Sequence, residues 1–225
     1  MKKTIIAAAM LVAVGVAQAD TISFAYGLPL VEHTTEITET GLLGKFDSTL
    51  GTLTGATLNI FGAGTTNISL TNNAATNVNG RATASVDLMW SSALGALDAL
   101  LVDDLALSFS TGAALLYTPG QTRSFGPLHD EATFSYNLSS ILGSFAAAGG
   151  GDFAITCESL SGINVLGGGG NLASNQTTTA GCGANITYTY DAAVVNPNPV
   201  PEPASLALIA VGLLGAGVAR RRKAA

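Results

Sequence analysis

The chain has 225 residues, the size of one ordinary domain or two small ones. Hydrophobic residues make up 48% and charged residues only 11%, against about 25% charged in an average globular protein, which excludes a solvated disordered tail. The 27 glycines and many Thr, Ser and Asn exclude a coiled coil or helical bundle, and the formal net charge is −6.

The first segment is an address. Lys2 and Lys3 form a basic start, an apolar run follows from Ile5 to Val16, and Ala17-Gln18-Ala19 supplies a small-x-small site before Asp20. These three parts in this order are a secretory signal peptide. Residues 1–19 are therefore expected to form a signal helix handled by the Sec export machinery. Cleavage between Ala19 and Asp20 would leave a mature chain starting at Asp20.

Residues 20–193 read as one all-β extracellular domain. From Arg81 to Trp90 the residues alternate, with Ala82, Ala84, Val86, Leu88 and Trp90 on one face. Period two is the mark of a half-buried strand. Leu105, Leu107 and Phe109 repeat it, as do Phe134, Tyr136 and Leu138, then Phe153, Ile155 and Cys157, then Ile186, Tyr188 and Tyr190. Ala56, Leu58 and Ile60 continue it after Gly55, where a bulge is expected. Asn, Gly and Thr clusters separate these runs. The expected fold is an antiparallel β-sandwich, jelly-roll-like, with one or two short helices. One helix is expected between Ser91 and Asp104, where Leu94, Leu97 and Leu101 have helical spacing and Ser91 could cap. Trp90, Tyr188 and Tyr190 are expected in the core by the same alternation.

Cys157 and Cys182 both lie in the exported body, where disulfides persist. A bridge would close 24 intervening residues, including Gly167 to Thr179, read here as a flexible loop. Two free thiols are the alternative. The cysteines alone cannot make a four-ligand zinc site, and His33 and His129 show no ligand spacing relative to them.

Phe46-Asp47-Ser48-Thr49-Leu50-Gly51-Thr52-Leu53-Thr54-Gly55-Ala56-Thr57-Leu58 resembles the opening of the choice-of-anchor E domain, and Ile186-Thr187-Tyr188-Thr189-Tyr190 is similar to its ending. The resemblance covers about Thr21 to Ala193. It implies an extracellular domain attached through different C-terminal anchors, and no activity.

Catalytic patterns are thin. There is no G-x-S-x-G elbow, and His129-Asp130-Glu131 is not H-E-x-x-H. Gly168 to Ala173 satisfies the loose G-x-G-x-x-A pattern, but no helix is expected after it, so a dinucleotide site is rejected. Asp103-Asp104 and Asp130-Glu131 could supply the two carboxylates of a glycosidase. They could also bind calcium, although no D-x-D-x-D-G loop occurs. No metal site, cofactor or catalytic residue is expected. Four N-x-S/T sequons, at Asn67, Asn137, Asn175 and Asn185, mark surface acceptors only where glycosylation machinery exists.

Val194 to Val200, with Pro197 and Pro199, reads as an extended linker. Then come Val200-Pro201-Glu202-Pro203, an apolar run from Ala204 to Ala219, and Arg220-Arg221-Arg222-Lys223. The run would make about 24 Å of helix, short of the roughly 30 Å hydrocarbon core. The basic cluster would hold this end at the cytoplasmic face as a membrane stop. Residues 201–225 resemble a PEP-CTERM sorting signal. That resemblance implies processing by an exosortase of a Gram-negative inner membrane, transient anchoring through the 204–219 helix, and release to the cell surface or extracellular matrix. A plain C-terminal anchor is the alternative.

Without the two ends the charge changes. Only Lys45, Arg81 and Arg123 remain against fifteen Asp and Glu between Asp20 and Pro203, a net −12. Such a body should repel nucleic acid. The reading that follows is a non-enzymatic exported surface or matrix protein acting in exopolysaccharide matrix, biofilm or floc. A carbohydrate-binding module for that exopolysaccharide is the second reading, and a secreted hydrolase using the paired carboxylates is the third.

Overall fold

The computed structural model describes residues 19–193. The signal segment before Ala19, the 194–200 linker, the 201–203 motif, the 204–219 apolar run and the basic cluster lie outside the described residues, and with them both expected terminal helices. Among the described residues no helix is long and apolar enough to cross a membrane.

The described residues form twelve strands in chain order: β1 (Asp20–Tyr26), β2 (His33–Thr34), β3 (Thr38–Gly44), β4 (Phe46–Asp47), β5 (Gly51–Asn72), β6 (Val78–Ser92), β7 (Leu105–Ser110), β8 (Leu115–Tyr117), β9 (Thr122–Asn137), β10 (Ala146–Ala147), β11 (Asp152–Gly167) and β12 (Leu172–Ala192). One sheet has the order β1-β12-β5-β9, with β2 paired to β12; the other has β3-β11-β6-β7, with β8 paired to β6. All pairings within these two sheets are antiparallel. The two-residue strands β4 and β10 form a separate parallel pair. Among the eight long strands, the chain changes sheet at every step except from β6 to β7. That is the connectivity of a jelly roll.

The alternation that suggested strands also places the core. Leu58, Ile60, Leu70, Val86, Leu88, Leu107, Ile155 and Ile186 are all fully or almost fully buried between the sheets. Each such side chain contributes roughly 1.5–3 kcal/mol of apolar burial. Trp90 joins them, 5% exposed, and its indole N–H finds no hydrogen-bond partner. Tyr188 is fully buried, while Tyr190 packs half-buried at the margin. The sheets come so close at Gly62 that a Cβ there would overlap the Leu88 side chain. The bulge expected near Gly55 is present: Thr189 pairs with Gly55 and Tyr190 with Leu53, so Thr54 is the extra residue, and its hydroxyl donates to the Thr189 carbonyl at 3.0 Å.

Three expectations are corrected. The helix predicted over Ser91–Asp104 spans only Gly95–Asp98, and no side chain caps it. Ser91 and Ser92 instead continue β6, paired with Thr156 and Ile155 of β11. Ser92 and Asp98 close the turn: Ser92 Oγ accepts from the Leu94 N–H at 3.1 Å, and Asp98 Oδ1 accepts from the Ser92 N–H at 2.9 Å. Leu97 and Leu101 are nevertheless buried. The segment read as a flexible loop is a short 3₁₀ turn (Gly168–Gly170) followed by β12, whose Leu172–Thr179 stretch pairs residue by residue with β5. Phe134 has the inward register of Tyr136 and Leu138 but is 45% exposed. It borders a cavity of about 120 Å³ with Ile60, Asp103, Asp104 and Leu105.

Candidate functional site

Of the processing positions expected at the two ends, Ala19 and Asp20 fall within the described residues. Ala17, Val200–Pro203 and Arg220–Lys223 lie outside them. Asp20 opens β1 and pairs with Tyr190, two residues before the last residue of β12. The body's first and last strands therefore begin and end side by side. Whatever precedes Asp20 and follows Ala192 is attached at one end of the sandwich.

Cys157 and Cys182 are joined, with Cα atoms 6.5 Å apart. Cys157 is on β11 and Cys182 on β12, so the bridge crosses the core from one sheet to the other. Its role is to pin two sheets that share no backbone hydrogen bonds, and not to staple a loose loop.

The four candidate carboxylates are not brought together in one cleft. Asp103 and Asp104 border the small cavity beside Phe134, while Asp130 and Glu131 do not line it. Asp130 is engaged by backbone: its Oδ2 accepts from the Ser108 N–H at 2.8 Å and its Oδ1 from the Glu131 N–H at 3.0 Å. The first of these bonds ties edge strand β9 to edge strand β7 along one side of the sandwich. Among the described residues no group of three or more His, Cys, Asp and Glu side chains is arranged to hold a metal ion.

A polar cluster that sequence spacing did not suggest sits on the outer face of the β1-β12-β5-β9 sheet. The chain after β1 runs back over β12. It can lie close because Gly181 and Gly183 have no side chains; a Cβ there would meet the Val31 carbonyl at 2.5 Å and Leu28 Cδ2 at 2.7 Å. This places Glu32 over β5 and β12, where its carboxylate accepts from the Thr65 hydroxyl at 3.1 Å and from the Thr179 hydroxyl. His129 of β9 stands beside it, with Nδ1 3.0 Å from Thr65 Oγ1 and 3.5 Å from Glu32 Oε1. Its Nε2 lies 3.1 Å from Glu131 Oε1.

The hydrogen bond to Glu131 raises the His129 pKa above 6.5; the charges of Glu32, Glu131 and Asp130 add to this, and desolvation opposes it. An imidazolium donates from both nitrogens, which matches acceptors at Thr65 and Glu131. Thr65 gives its proton to Glu32, so the imidazole is not placed to draw a proton from that hydroxyl. The cluster acts as a latch for the segment after β1.

A second polar clasp explains part of the Phe46–Leu58 pattern. Phe46 is fully buried. Asp47 Oδ1 accepts from the Thr49 N–H and hydroxyl at 2.9 and 2.8 Å, and from the Gly149 N–H at 2.9 Å. Those bonds, the Thr49 backbone bond foremost, hold the Asp47 carboxyl below 3.8. One residue thus shapes its own turn and ties it to the glycine turn before β11.

A cluster of exposed aromatic platforms, the feature that would mark a stacking carbohydrate site, is not formed by the described residues: Phe134 is the only aromatic among them that is largely exposed, and Phe61 on the outer face of β5 is half-buried.

The body is thus a disulfide-bridged antiparallel sandwich of extracellular type. A model of the PEP-CTERM protein-sorting motif matches residues 199–223, so the chain carries that motif directly after the body. The motif implies an exosortase as processing partner and generally marks proteins of the cell surface or beyond the cytoplasm. No curated protein matches the chain. Among solved structures, the chain is similar to one of infectious bursal disease virus, Gx strain, at 9% identity and TM-score 0.19, over 80% of this chain and 36% of that one. A crystal structure of the T13 particle of the same virus gives 6% identity and TM-score 0.17, over 84% of this chain and 44% of that one. The chain spans less than half the length of either.

Proposed function

We propose that this protein is a non-enzymatic surface or matrix component of a Gram-negative bacterium. The Sec machinery exports it, the 204–219 segment anchors it transiently in the inner membrane, and an exosortase removes the C-terminal signal. The body then acts as a choice-of-anchor E-type domain in the exopolysaccharide matrix, biofilm or floc. The observation that carries this reading is the sorting motif at residues 199–223. Three features support it. The interior is bridged by a disulfide, which suits an oxidising compartment. The net charge of −12 between Asp20 and Pro203 favours solubility outside the cell. The first strand begins beside the end of the last, so the segments leading to both processing sites leave the domain at one end.

Comparing a strain that lacks the protein with one restored by the full chain tests the role. The expected result is a matrix that releases cells at lower shear when the protein is missing. Equal cohesion in the two strains would sink the matrix role, whatever the fate of the sorting signal.

A further inference from the structure

Both outer sheet faces pair some of their hydroxyl groups across strands: Ser23 with Thr187 and Thr71 with Thr122 on the β1-β12-β5-β9 face, where Thr65 and Thr179 also bond Glu32, and Thr40 with Thr156 at 2.8 Å on the other. On that second face, β6, β7 and β11 form an open groove of about 500 Å³, to which Thr83, Ser85, Ser108, Ser110 and Asn164 contribute polar side chains. Strand register sets them in two rows. Thr83 lies between Ser110 and Asn164, and Ser85 lies between Ser108 and Gly162.

Ser110 Oγ accepts from the Gly112 N–H at 3.1 Å. The side chains of Thr83, Ser85, Ser108 and Asn164 have no protein partner among the described residues, so their donors and acceptors face the groove unspent. Gly162 leaves the floor open. A Cβ there would meet only Ser85 Oγ, at an ordinary 3.6 Å.

The charge pattern narrows the ligand. No charged residue lines the groove directly, and the body around it, residues 20–193, carries −11. Arg81 and Asp87 flank the two rows at the next outward positions of β6, one charge of each sign, so neither predominates at the groove. The acidic body repels a polyanion. What remains is an uncharged ligand rich in hydroxyl groups. Its position fits display: β6 starts at the end of the sandwich opposite Asp20 and Tyr190, so Thr83 and Ser85 lie in the half remote from the attachment end.

We propose that this groove binds a neutral saccharide chain through hydrogen bonds from Thr83, Ser85, Ser108 and Asn164. The proposal deepens the matrix reading and rests on it for the source of the saccharide. Phe109 forms part of the groove wall with its ring buried in the core, so binding rests on hydrogen bonds without ring stacking.

Affinity electrophoresis of the native secreted protein tests this, in gels containing dextran, laminarin, xylan or galactomannan, with polygalacturonate as the charged comparison. At least one neutral polymer should retard the protein, and polygalacturonate should not. Ser85→Ala and Asn164→Ala should each weaken retardation by about fivefold, the effect of one lost hydrogen bond. Gly162→Phe, which fills the floor, should abolish it, and Ser69→Ala on the other sheet should leave it unchanged. If Gly162→Phe fails to fold, the two alanine variants carry the test. Absence of retardation by all four neutral polymers, retardation by polygalacturonate, or binding indifferent to the alanine variants would each overturn the proposal. A cohesive matrix in the strain lacking the protein would count against the matrix role alone, because groove binding is read separately on purified protein.

Discussion

The Tyr188 hydroxyl donates to the Gly44 carbonyl at 2.9 Å, joining β12 of one sheet to β3 of the other through the core. Its ring packs against Phe24, Phe46 and Phe145 with centroids 6.0 to 6.1 Å away. Burial pushes the phenol well above its ordinary range. Tyr188→Phe keeps the packing and deletes one bond, so it should cost about 1 kcal/mol in denaturant unfolding. Tyr188→Ala opens a cavity as well and should cost about 3–5 kcal/mol, the range for a large aromatic truncated in a core.

The bridge between Cys157 and Cys182 ties the same two sheets covalently. Replacing both cysteines by alanine should lower stability by about 3 kcal/mol in the chain-entropy account. The fold itself should persist, since the hydrophobic core remains intact. Near-native far-UV circular dichroism with a lower denaturant midpoint would be the expected pair of results.

The strands were legible because alternation is local. Val86, Leu88 and Trp90 declare an inward face whatever lies opposite them. Partner choice is not local, and nothing in the Arg81–Trp90 pattern says that β11 lies on one side and β7 on the other. The helix is shorter than its spacing suggests for a related reason. Leu94, Leu97 and Leu101 have helical spacing, but Ser91 and Ser92 were claimed by pairing with β11, which local spacing does not register. Leu172 to Thr179 looked like loop because its polar residues lack apolar alternation, yet pairing with β5 makes it strand. Glu32 and His129 are 97 positions apart in the chain, and only the close passage over Gly181 and Gly183 brings them together. The hydroxyl groove occupies outward positions of strands whose apolar alternation marks only their inward positions.

The latch around His129 has a pH dependence of known sign. A histidine with a raised folded pKa contributes stability that is fully present below the unfolded value, near 6.5, and is lost as pH rises through the elevated folded value. An NMR titration should give His129 a midpoint above 6.5, and Glu131→Gln should lower it by removing the leading cause. Protection factors of the segment after β1, which are corrected for the intrinsic base-catalysed rate, should be lower at pH 8 than at pH 6.

The Asp47 clasp has the opposite sign. Its folded pKa is lowered, so its hold on the glycine turn is present above the ordinary value of 3.8 and is lost as pH falls through the folded value. Asp47→Ala should speed amide exchange at Gly149 while leaving β11 protected. Unchanged exchange at Gly149 would mean that the turn holds itself.

The most direct measurement for the central claim is the intact mass of the protein recovered outside its own cells. The account predicts a species running from Asp20 to the neighbourhood of Pro203, with the disulfide formed and residues after the motif removed. A species in the membrane fraction that still ends at Ala225 would contradict it. The tail would then be a permanent anchor and the body a resident of the cell envelope.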